Sequence, residues 1–245
     1  MARDSVRPQD KNDSPETGVG ATMWLRTIII IVLLPAIILF GAAGTFNWPM
    51  AWLYMALSVA GFAVSRLIVW RSNPDLLRER GQMMDHEDTV AFDRVLAPLL
   101  ALVGPTLIGV VAGLALRFGW SPVFSPGLMW AGAALLVLGY AIGSWALIVN
   151  RFFSGVVRIQ KERGHHVVTS GPYAVVRHPG YLGACFSYLG MVLMLGSPWA
   201  LIPYAFELVV TVARTALEDR LLQAELPGYK QYTLQTRSRL IPGIW

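Results

Sequence analysis

Charged residues are scarce in this sequence of 245 residues, of which Asp, Glu, Lys and Arg together make up only 14%. A soluble domain carries about 25% charged residues. Apolar residues reach 55% of the chain, and the mean hydropathy is +0.51. The shortage of charge therefore argues against an ordinary soluble domain and favours an integral membrane protein.

Cysteine is almost absent, because Cys185 is the single cysteine of the chain. No internal disulfide and no C-x-x-C pair can form, so cysteine usage says nothing about the redox compartment. Three histidines, His165, His166 and His178, could ligate a metal, yet they have neither H-x-x-x-H spacing nor a cysteine partner. We therefore expect no metal ion, and metal ligation by these histidines remains the weaker alternative.

The net charge of +5 could suggest nucleic acid, but the distribution of the basic residues does not. Lys and Arg lie in short loops beside apolar runs, the pattern that sets orientation in a membrane. No basic helix is found, and we predict no nucleic-acid partner. Basic residues mark the N-terminal tail, the loop at 71–94, the stretch at 150–177 and the C-terminus, so both termini and that stretch are expected to face the cytoplasm.

Long apolar runs predict the spans. A helix needs about 20 residues to cross the hydrocarbon core, and no charge occurs between Arg26 and Arg66, which is long enough for two helices. A signal peptide competes for the first run, but 23–46 is too long for its apolar region. The predicted segments are a polar cytoplasmic tail at 1–22, full spans at 23–46, from Trp48 to near Arg71, 95–116 and 127–149, and a shorter helical hairpin at 181–195 and 199–212.

The predicted fold class is thus an all-α integral membrane protein with about four full transmembrane helices plus a C-terminal helical hairpin. Pro98 and Pro105 in the third span predict a kink. In the fourth span Gly132, Gly139 and Gly143 leave room for close helix contacts. The charged connection at 71–94 is interpreted as a solvated amphipathic loop, with a gating element over a substrate as the alternative.

Four motifs follow one another in the C-terminal part of the chain. They are G-P-Y-x-x-x-R-H-P-x-Y-x-G at 171–183, R-x-x-x-E at 214–218, G-Y-x-x-Y at 228–232 and R-L-I-P at 239–242. Their order and spacing resemble the isoprenylcysteine carboxyl methyltransferase family, which belongs with the phospholipid N-methyltransferase-like integral membrane enzymes. In the N-terminal half only the pattern of spans agrees with that family.

The resemblance implies an enzyme that uses S-adenosyl-L-methionine, releases S-adenosyl-L-homocysteine and holds the cofactor in a cytoplasmic site of its C-terminal half. Together with the apolar runs, it divides the chain into the tail at 1–22, N-terminal transmembrane helices at 23–149 and a C-terminal cofactor-binding methyltransferase region at 150–245. It also implies a lipophilic or prenylated acceptor that enters from the bilayer. The cofactor residues carried over from the family are Gln160, His165, His166, Val167, Val168, Tyr173, His178, Pro179, Gly180, Tyr181 and Glu218.

Arg214 and Glu207 are the candidate catalytic residues. Arg214 and Glu218, four residues apart, share one helix face, and an arginine in an apolar segment is a functional candidate because it is costly there. If the acceptor is a carboxylate, Arg214 offers a bidentate clamp, and no base is required. An amine acceptor must lose a proton, and Glu207 or a histidine would then be the base. Arg214 could instead form a structural ion pair with Glu218 or Glu207.

Carboxyl O-methylation is therefore the leading function, and N-methylation of a phospholipid amine is the second. Two alternatives lie outside this class: a sterol-reductase-like enzyme that uses NADPH, and a non-enzymatic scaffold or transporter. The chain shows no inverted repeat or pair of corresponding broken helices of the kind found in transporters.

Overall fold

The structure is a computed structural model, and it describes residues 29–81 and 89–245. The predicted tail at 1–22, the start of the first span at 23–28 and part of the 71–94 loop lie outside the described residues. Within the described residues the chain is helical and has no strand. The helices are α1 (Ile29–Ala43), α2 (Pro49–Ser72), α3 (Pro74–Gly81), α4 (Asp93–Arg117), α5 (Pro126–Val149), α6 (Pro179–Met194), α7 (Leu201–Glu225) and α8 (Tyr229–Gln235).

Four helical segments are long and apolar enough to cross a membrane. They are α2, α4, α5 and the segment Pro198–Glu225, which contains α7; α1 and α6 are shorter apolar helices. The predicted fold class, an all-α integral membrane protein, is confirmed. The predicted C-terminal hairpin is unequal, because α7 continues well past 212 to Glu225. Its second half carries buried polar side chains, including Arg214 and Asp219, so loss of hydropathy does not end the helix.

A π-helical turn follows Pro98 inside α4, at Leu99–Val103. Gly104 N–H bonds to Leu99 O in this turn, and Pro105 has no N–H to offer. The Leu100 carbonyl is therefore left for a side chain, and the Tyr188 hydroxyl of α6 donates to it at 2.8 Å. Because buried backbone acceptors need partners, this bond fixes α6 against the irregular part of α4.

Helices α5 and α6 pack backbone to backbone through pairs of glycines. A Cβ added to Gly132 would lie 2.8 Å from Gly190 O, and one added to Gly139 would lie 2.5 Å from Gly183 O. The close contacts predicted for Gly132 and Gly139 are confirmed. A Cβ on Gly143 would meet nothing within 4 Å, although the Gly143 backbone itself lies against Gly183. Small residues thus allow the approach that van der Waals packing in a bilayer requires.

The polar stretch between α5 and α6 lies against the second half of α7 and the C-terminal tail. It contains two short 3-10 helices, Lys161–Arg163 and Gly171–Ala174. Arg177 N–H donates to Ser238 O, and His178 N–H donates to Arg239 O, both at 3.0 Å. On the other side, Val90 N–H donates to Val157 O at 3.3 Å. The stretch is therefore fixed by backbone bonds to segments distant in sequence.

Candidate active site

A cavity of about 320 Å³ opens where the polar stretch meets α6 and α7. We call it the donor cavity. Among its lining residues is Arg214, one of the two candidate catalytic residues. Nine of the eleven residues predicted to hold the cofactor also line it: His165, His166, Val167, Val168, Tyr173, His178, Gly180, Tyr181 and Glu218.

Gln160 and Pro179 do not line the donor cavity. Gln160 is 1% exposed, and its Nε2 donates to Phe152 O at 2.8 Å while its Oε1 accepts from Arg163. The amide therefore braces the loop behind the cavity. Pro179 is the first residue of α6, where a missing N–H costs nothing.

One end of the cavity is aromatic. The Phe152 ring stacks on His165 with centroids 4.6 Å apart, and it meets His166 edge to face at 4.8 Å. Burial, together with the charges of His166, Arg163 and Arg158, lowers the pKa of His165 from 6.5 to about 4. Its Nδ1 accepts from Gln160 N–H at 3.3 Å, which fits a neutral ring. The end formed by Phe152 and His165 thus offers flat, uncharged faces.

Asp219 organises the buried wall behind the cavity. Its carboxylate accepts from Arg177 Nε at 2.8 Å, from Arg239 Nε at 2.9 Å and from the Tyr229 hydroxyl at 3.0 Å. His178 Nε2 lies 3.4 Å away. Burying a carboxylate without partners would be costly, and here two guanidinium groups and a phenol compensate it. These contacts link the polar stretch and the tail to α7.

Tyr229 and Tyr232 of α8 are buried and also line the donor cavity. The Tyr232 hydroxyl donates to Tyr173 O at 2.6 Å. Burial raises the pKa of Tyr232 to about 12 and raises the pKa values of Tyr173 and Tyr229 above their usual range. All three phenols therefore remain protonated hydrogen-bond donors at neutral pH.

Arg214 is held by Asp93, a partner that the sequence did not indicate. Its Nε and Nη2 donate to the two carboxylate oxygens at 2.6 and 2.9 Å, and Nη2 also reaches Gly155 O at 3.1 Å. The predicted alternative of an ion pair with Glu218 or Glu207 is wrong, since the salt-bridge partner is Asp93. Nη1 makes no hydrogen bond to any described residue, and the side chain lines the cavity.

The connection at 71–94 is not simply a solvated loop in its described parts. Asp93 is fully buried, and Glu79 is 8% exposed and bonds Arg158 at 2.9 Å. Both carboxylates neutralise arginines that line the donor cavity. The interpretation of this connection as solvated is therefore wrong for these two residues.

Glu218 accepts a hydrogen bond from the Tyr181 hydroxyl. The Arg214 guanidinium in turn lies over the Tyr181 ring, 5.3 Å from the centroid of that ring. The carboxylate, the phenol and the guanidinium therefore form one connected group on the cavity wall.

Comparison with known proteins places this geometry in context. Residues 128–226 match the family model described as phospholipid methyltransferase. The resemblance to membrane methyltransferases is confirmed. The matched methyltransferase-like segment contains α5 from residue 128 onward, the polar stretch, α6 and α7, and so every predicted site residue. Asp93 and the tail tyrosines lie outside it.

The curated relatives include proteins named as methyltransferases. The chain is 34% identical over 90 residues to protein-S-isoprenylcysteine O-methyltransferase B of Arabidopsis thaliana, which is 34% of this chain and 46% of that protein. It is 35% identical over 78 residues to protein-S-isoprenylcysteine O-methyltransferase of Saccharomyces cerevisiae, 31% of this chain and 33% of that protein. Cobalt-zinc-cadmium resistance protein CzcN of Cupriavidus metallidurans is 34% identical over 110 residues, 44% of this chain and 49% of that protein. The chain thus spans less than half the length of these relatives.

Glu207 lies in the methyltransferase-like segment but does not line the donor cavity. It precedes Arg214 by seven residues, about 10 Å along a helix axis. Its carboxylate packs against Gly104, where a Cβ would overlap it. Neither oxygen has a hydrogen-bond partner among the described residues. The structure therefore separates the two candidate catalytic residues.

A second cavity of about 270 Å³ adjoins the first, between α2, α5 and α6. We call it the membrane groove. Its wall is shared with the donor cavity through five residues: Arg80, Phe153, Gly180, Ala184 and Tyr188. The Phe153 ring lies directly on Gly180, where an added Cβ would come within 2.5 Å of it. The two cavities thus meet at one shared wall.

Proposed function

We propose that this chain is an integral membrane methyltransferase that uses S-adenosyl-L-methionine to methylate a lipophilic acceptor, and that this acceptor is a carboxylate of the isoprenylcysteine type. The observation that carries the proposal is the donor cavity. It gathers nine residues that match the cofactor motifs, and it shares a wall with a groove between membrane-spanning helices. A cofactor from the aqueous side and a lipid from the bilayer could meet there.

The residues present fit the cofactor. A volume of about 320 Å³ lies within the range of small-molecule sites, about 300–1,000 Å³. Glu218 and the phenol of Tyr181 suit the polar groups of S-adenosylmethionine, and the faces of Phe152 and His165 suit adenine. When bound, the cofactor supplies an electrophilic methyl group on a sulfonium. The side chains must mainly orient the two reactants, which can contribute about 7–11 kcal/mol.

Arg214 is proposed to face the acceptor. Asp93 and Gly155 hold its Nε and Nη2, so the guanidinium is fixed in place while Nη1 is left for a ligand. A carboxylate acceptor is already nucleophilic near neutral pH and needs no base. This is consistent with the position of Glu207, which does not line the donor cavity.

N-methylation of a phospholipid amine is the second candidate, and the phospholipid methyltransferase match over 128–226 favours it. Such an acceptor must lose a proton. His178, which lines the donor cavity 3.4 Å from Asp219, is the base to test. A sterol-reductase-like enzyme and a scaffold or transporter remain the contrasting functions.

We further propose that the donor cavity and both termini face the cytoplasm, with 23–149 serving to span the membrane and 150–245 to hold the cofactor. The concentration of Lys and Arg in the loops on that side supports this orientation. Labelling of a cysteine introduced at Ser238 or at Ser121, in a chain with Cys185→Ser, tests it in sealed vesicles, since only one of the two positions should react with an impermeant reagent.

Calorimetric titration of the detergent-solubilised chain with S-adenosylmethionine, S-adenosylhomocysteine and NADPH tests the cofactor. We expect saturable binding of both adenosyl ligands, at least about tenfold weaker in Glu218→Gln through loss of a charged contact. Glu225→Gln, an exposed position on the same helix, is the matched control. A folded protein that binds no adenosyl ligand would refute the proposal, and binding of NADPH alone would favour the reductase.

Transfer of a labelled methyl group then identifies the acceptor. N-acetyl-S-farnesylcysteine presents a carboxylate, and phosphatidylethanolamine in vesicles presents an amine. Labelled ester from the first is the expected product, and labelled amine from the second would select the alternative.

A further inference from the structure

Two arginines of the membrane groove have no carboxylate partner among the residues that the structure describes. Arg66 belongs to α2, within a membrane-spanning segment, and its guanidinium lies 4.9 Å from the Phe62 ring centroid. Arg80 belongs to α3; its Nη1 donates to Phe153 O at 3.3 Å, and its guanidinium lies 5.5 Å from the Phe153 ring. Both side chains line the groove.

The other arginines that line the donor cavity do have carboxylate partners. Arg158 pairs with Glu79, Arg177 with Asp219 and Arg214 with Asp93, at 2.9, 2.8 and 2.6 Å. The fold therefore supplies a carboxylate to Arg158, Arg177 and Arg214, three of the four arginines that line the donor cavity. Of the arginines that line either cavity, Arg66 and Arg80 are the two without a carboxylate partner among the described residues, and both line the membrane groove.

The positive charges of Arg66 and Arg80 also repel one another. Burial, followed by the like charges of Arg66 and Arg214, lowers the pKa of Arg80 to about 10. The group remains protonated at neutral pH, so positive charge accumulates in a space of low polarity. Such an arrangement is costly without a counter-charge, and ionisable residues inside a membrane commonly mark a ligand site. An anion in the groove would remove that cost.

The groove continues from these arginines between α2, α5 and α6. Small side chains form much of its wall, which leaves room for a hydrocarbon chain between membrane-spanning helices. The small residues are Ser65, Gly139, Gly143, Ser144, Gly183, Ala184 and Ser187. At the other side the groove shares Arg80 and Tyr188 with the donor cavity. A group held by Arg80 would therefore lie next to the space for the methyl donor.

We propose that Arg66 and Arg80 bind the anionic group of the methyl acceptor and that its lipid chain occupies the membrane groove. This inference rests on the proposed function and specifies its acceptor as an anionic amphiphile. Because Asp93 already neutralises Arg214, the negative charge of the acceptor is compensated by Arg66 and Arg80. The anion is a carboxylate or a phosphate, since a guanidinium binds either group in a bidentate manner.

Binding of lipid probes to the full chain in a non-ionic detergent tests the proposal, with and without saturating S-adenosylhomocysteine. One pair of probes is N-acetyl-S-farnesylcysteine and its carboxamide. The second pair is dioctanoyl phosphatidic acid and dioctanoylglycerol. The variants are Arg66→Gln and Arg80→Gln, and the matched control is Arg71→Gln, an exposed arginine in the last turn of α2.

We expect each groove variant to weaken binding of a charged probe about tenfold, the loss of one charge-assisted hydrogen bond. Binding of its neutral partner and of S-adenosylhomocysteine should stay unchanged, as should all affinities in Arg71→Gln. If the groove variants weaken binding only of the farnesylcysteine carboxylate, the acceptor is a carboxylate. If they weaken binding only of phosphatidic acid, the acceptor is a phospholipid.

Two results would overturn the proposal. One is a wild-type protein that does not distinguish charged from neutral probes. The other is that the groove variants bind the charged probes as tightly as the wild type, or lose equal affinity for the charged and the neutral member of a pair. If the wild type does not bind S-adenosylhomocysteine, the proposed function itself is refuted, and this result is distinct from the two above.

Discussion

Asp93 and Arg214 are 121 positions apart in the sequence and form a two-pronged ion pair at 2.6 and 2.9 Å. The carboxylate also accepts from Val157 N–H at 2.7 Å. One buried side chain therefore joins the start of α4, the polar stretch and α7. This contact sets the orientation of the arginine proposed to face the acceptor.

Asp93→Ala should destabilise the protein strongly. Arg214 would be left buried without its counter-ion, and breaking a buried pair on one side costs about 3–5 kcal/mol. Denaturant unfolding in detergent, followed by tryptophan fluorescence, measures the loss. Asp75→Ala, on the exposed side of α3, is the control and should unfold like the wild type. Equal stability of the two variants would contradict a structural role for the ion pair.

Arg214→Lys should reduce turnover and spare cofactor binding. Lysine keeps the positive charge but cannot bind Asp93 in two-pronged fashion while presenting a further N–H to the cavity. Initial rates with a saturating acceptor, together with calorimetry of S-adenosylhomocysteine, separate the two effects. Weakened binding with normal turnover would reverse the assignment of Arg214 to the acceptor side.

Glu207→Gln should leave the methyl-transfer rate unchanged for a carboxylate acceptor. Glutamine keeps the size of the side chain against Gly104 but cannot act as a base. The rate is compared with that of His178→Gln, which alters the donor cavity itself. A large loss of rate in Glu207→Gln, with unchanged thermal stability, would restore Glu207 as a catalytic residue.

The free energy of unfolding should depend on pH through His165. Its pKa is about 4 in the folded chain against 6.5 for the free side chain. The unfolded chain therefore binds more protons between these values, and stability falls as the pH decreases from 6.5 towards 4. Thermal unfolding across this window should show a smaller decrease in His165→Asn. An identical slope in both proteins would contradict the depressed pKa.

Gly139→Ala should destabilise the contact between α5 and α6. The new methyl group would lie 2.5 Å from Gly183 O, and overpacking costs about 1–3 kcal/mol. Gly143→Ala, one turn further along α5, meets nothing within 4 Å and is the matched control. Thermal unfolding in detergent should separate the two variants, and a tolerated Gly139→Ala would show that the helices move apart easily.

The sequence by itself determined the class of the protein and the identity of most cavity residues. Apolar runs set the spans because a bilayer requires about 20 such residues for each helix. The segment from His165 to Tyr181, together with Glu218, supplied nine cavity residues, and eight of them lie close together along the chain.

Only the tertiary structure decided the partners of those residues. Asp93 lies in a charged connection that looks like a solvated loop, and nothing local shows that it reaches α7. The place of Gln160 behind the cavity, the separation of Glu207 from Arg214 and the convergence of Arg66 with Arg80 likewise depend on how the helices pack. Local pattern records hydropathy and turn chemistry, whereas pairing of buried charges arises between segments far apart in the chain.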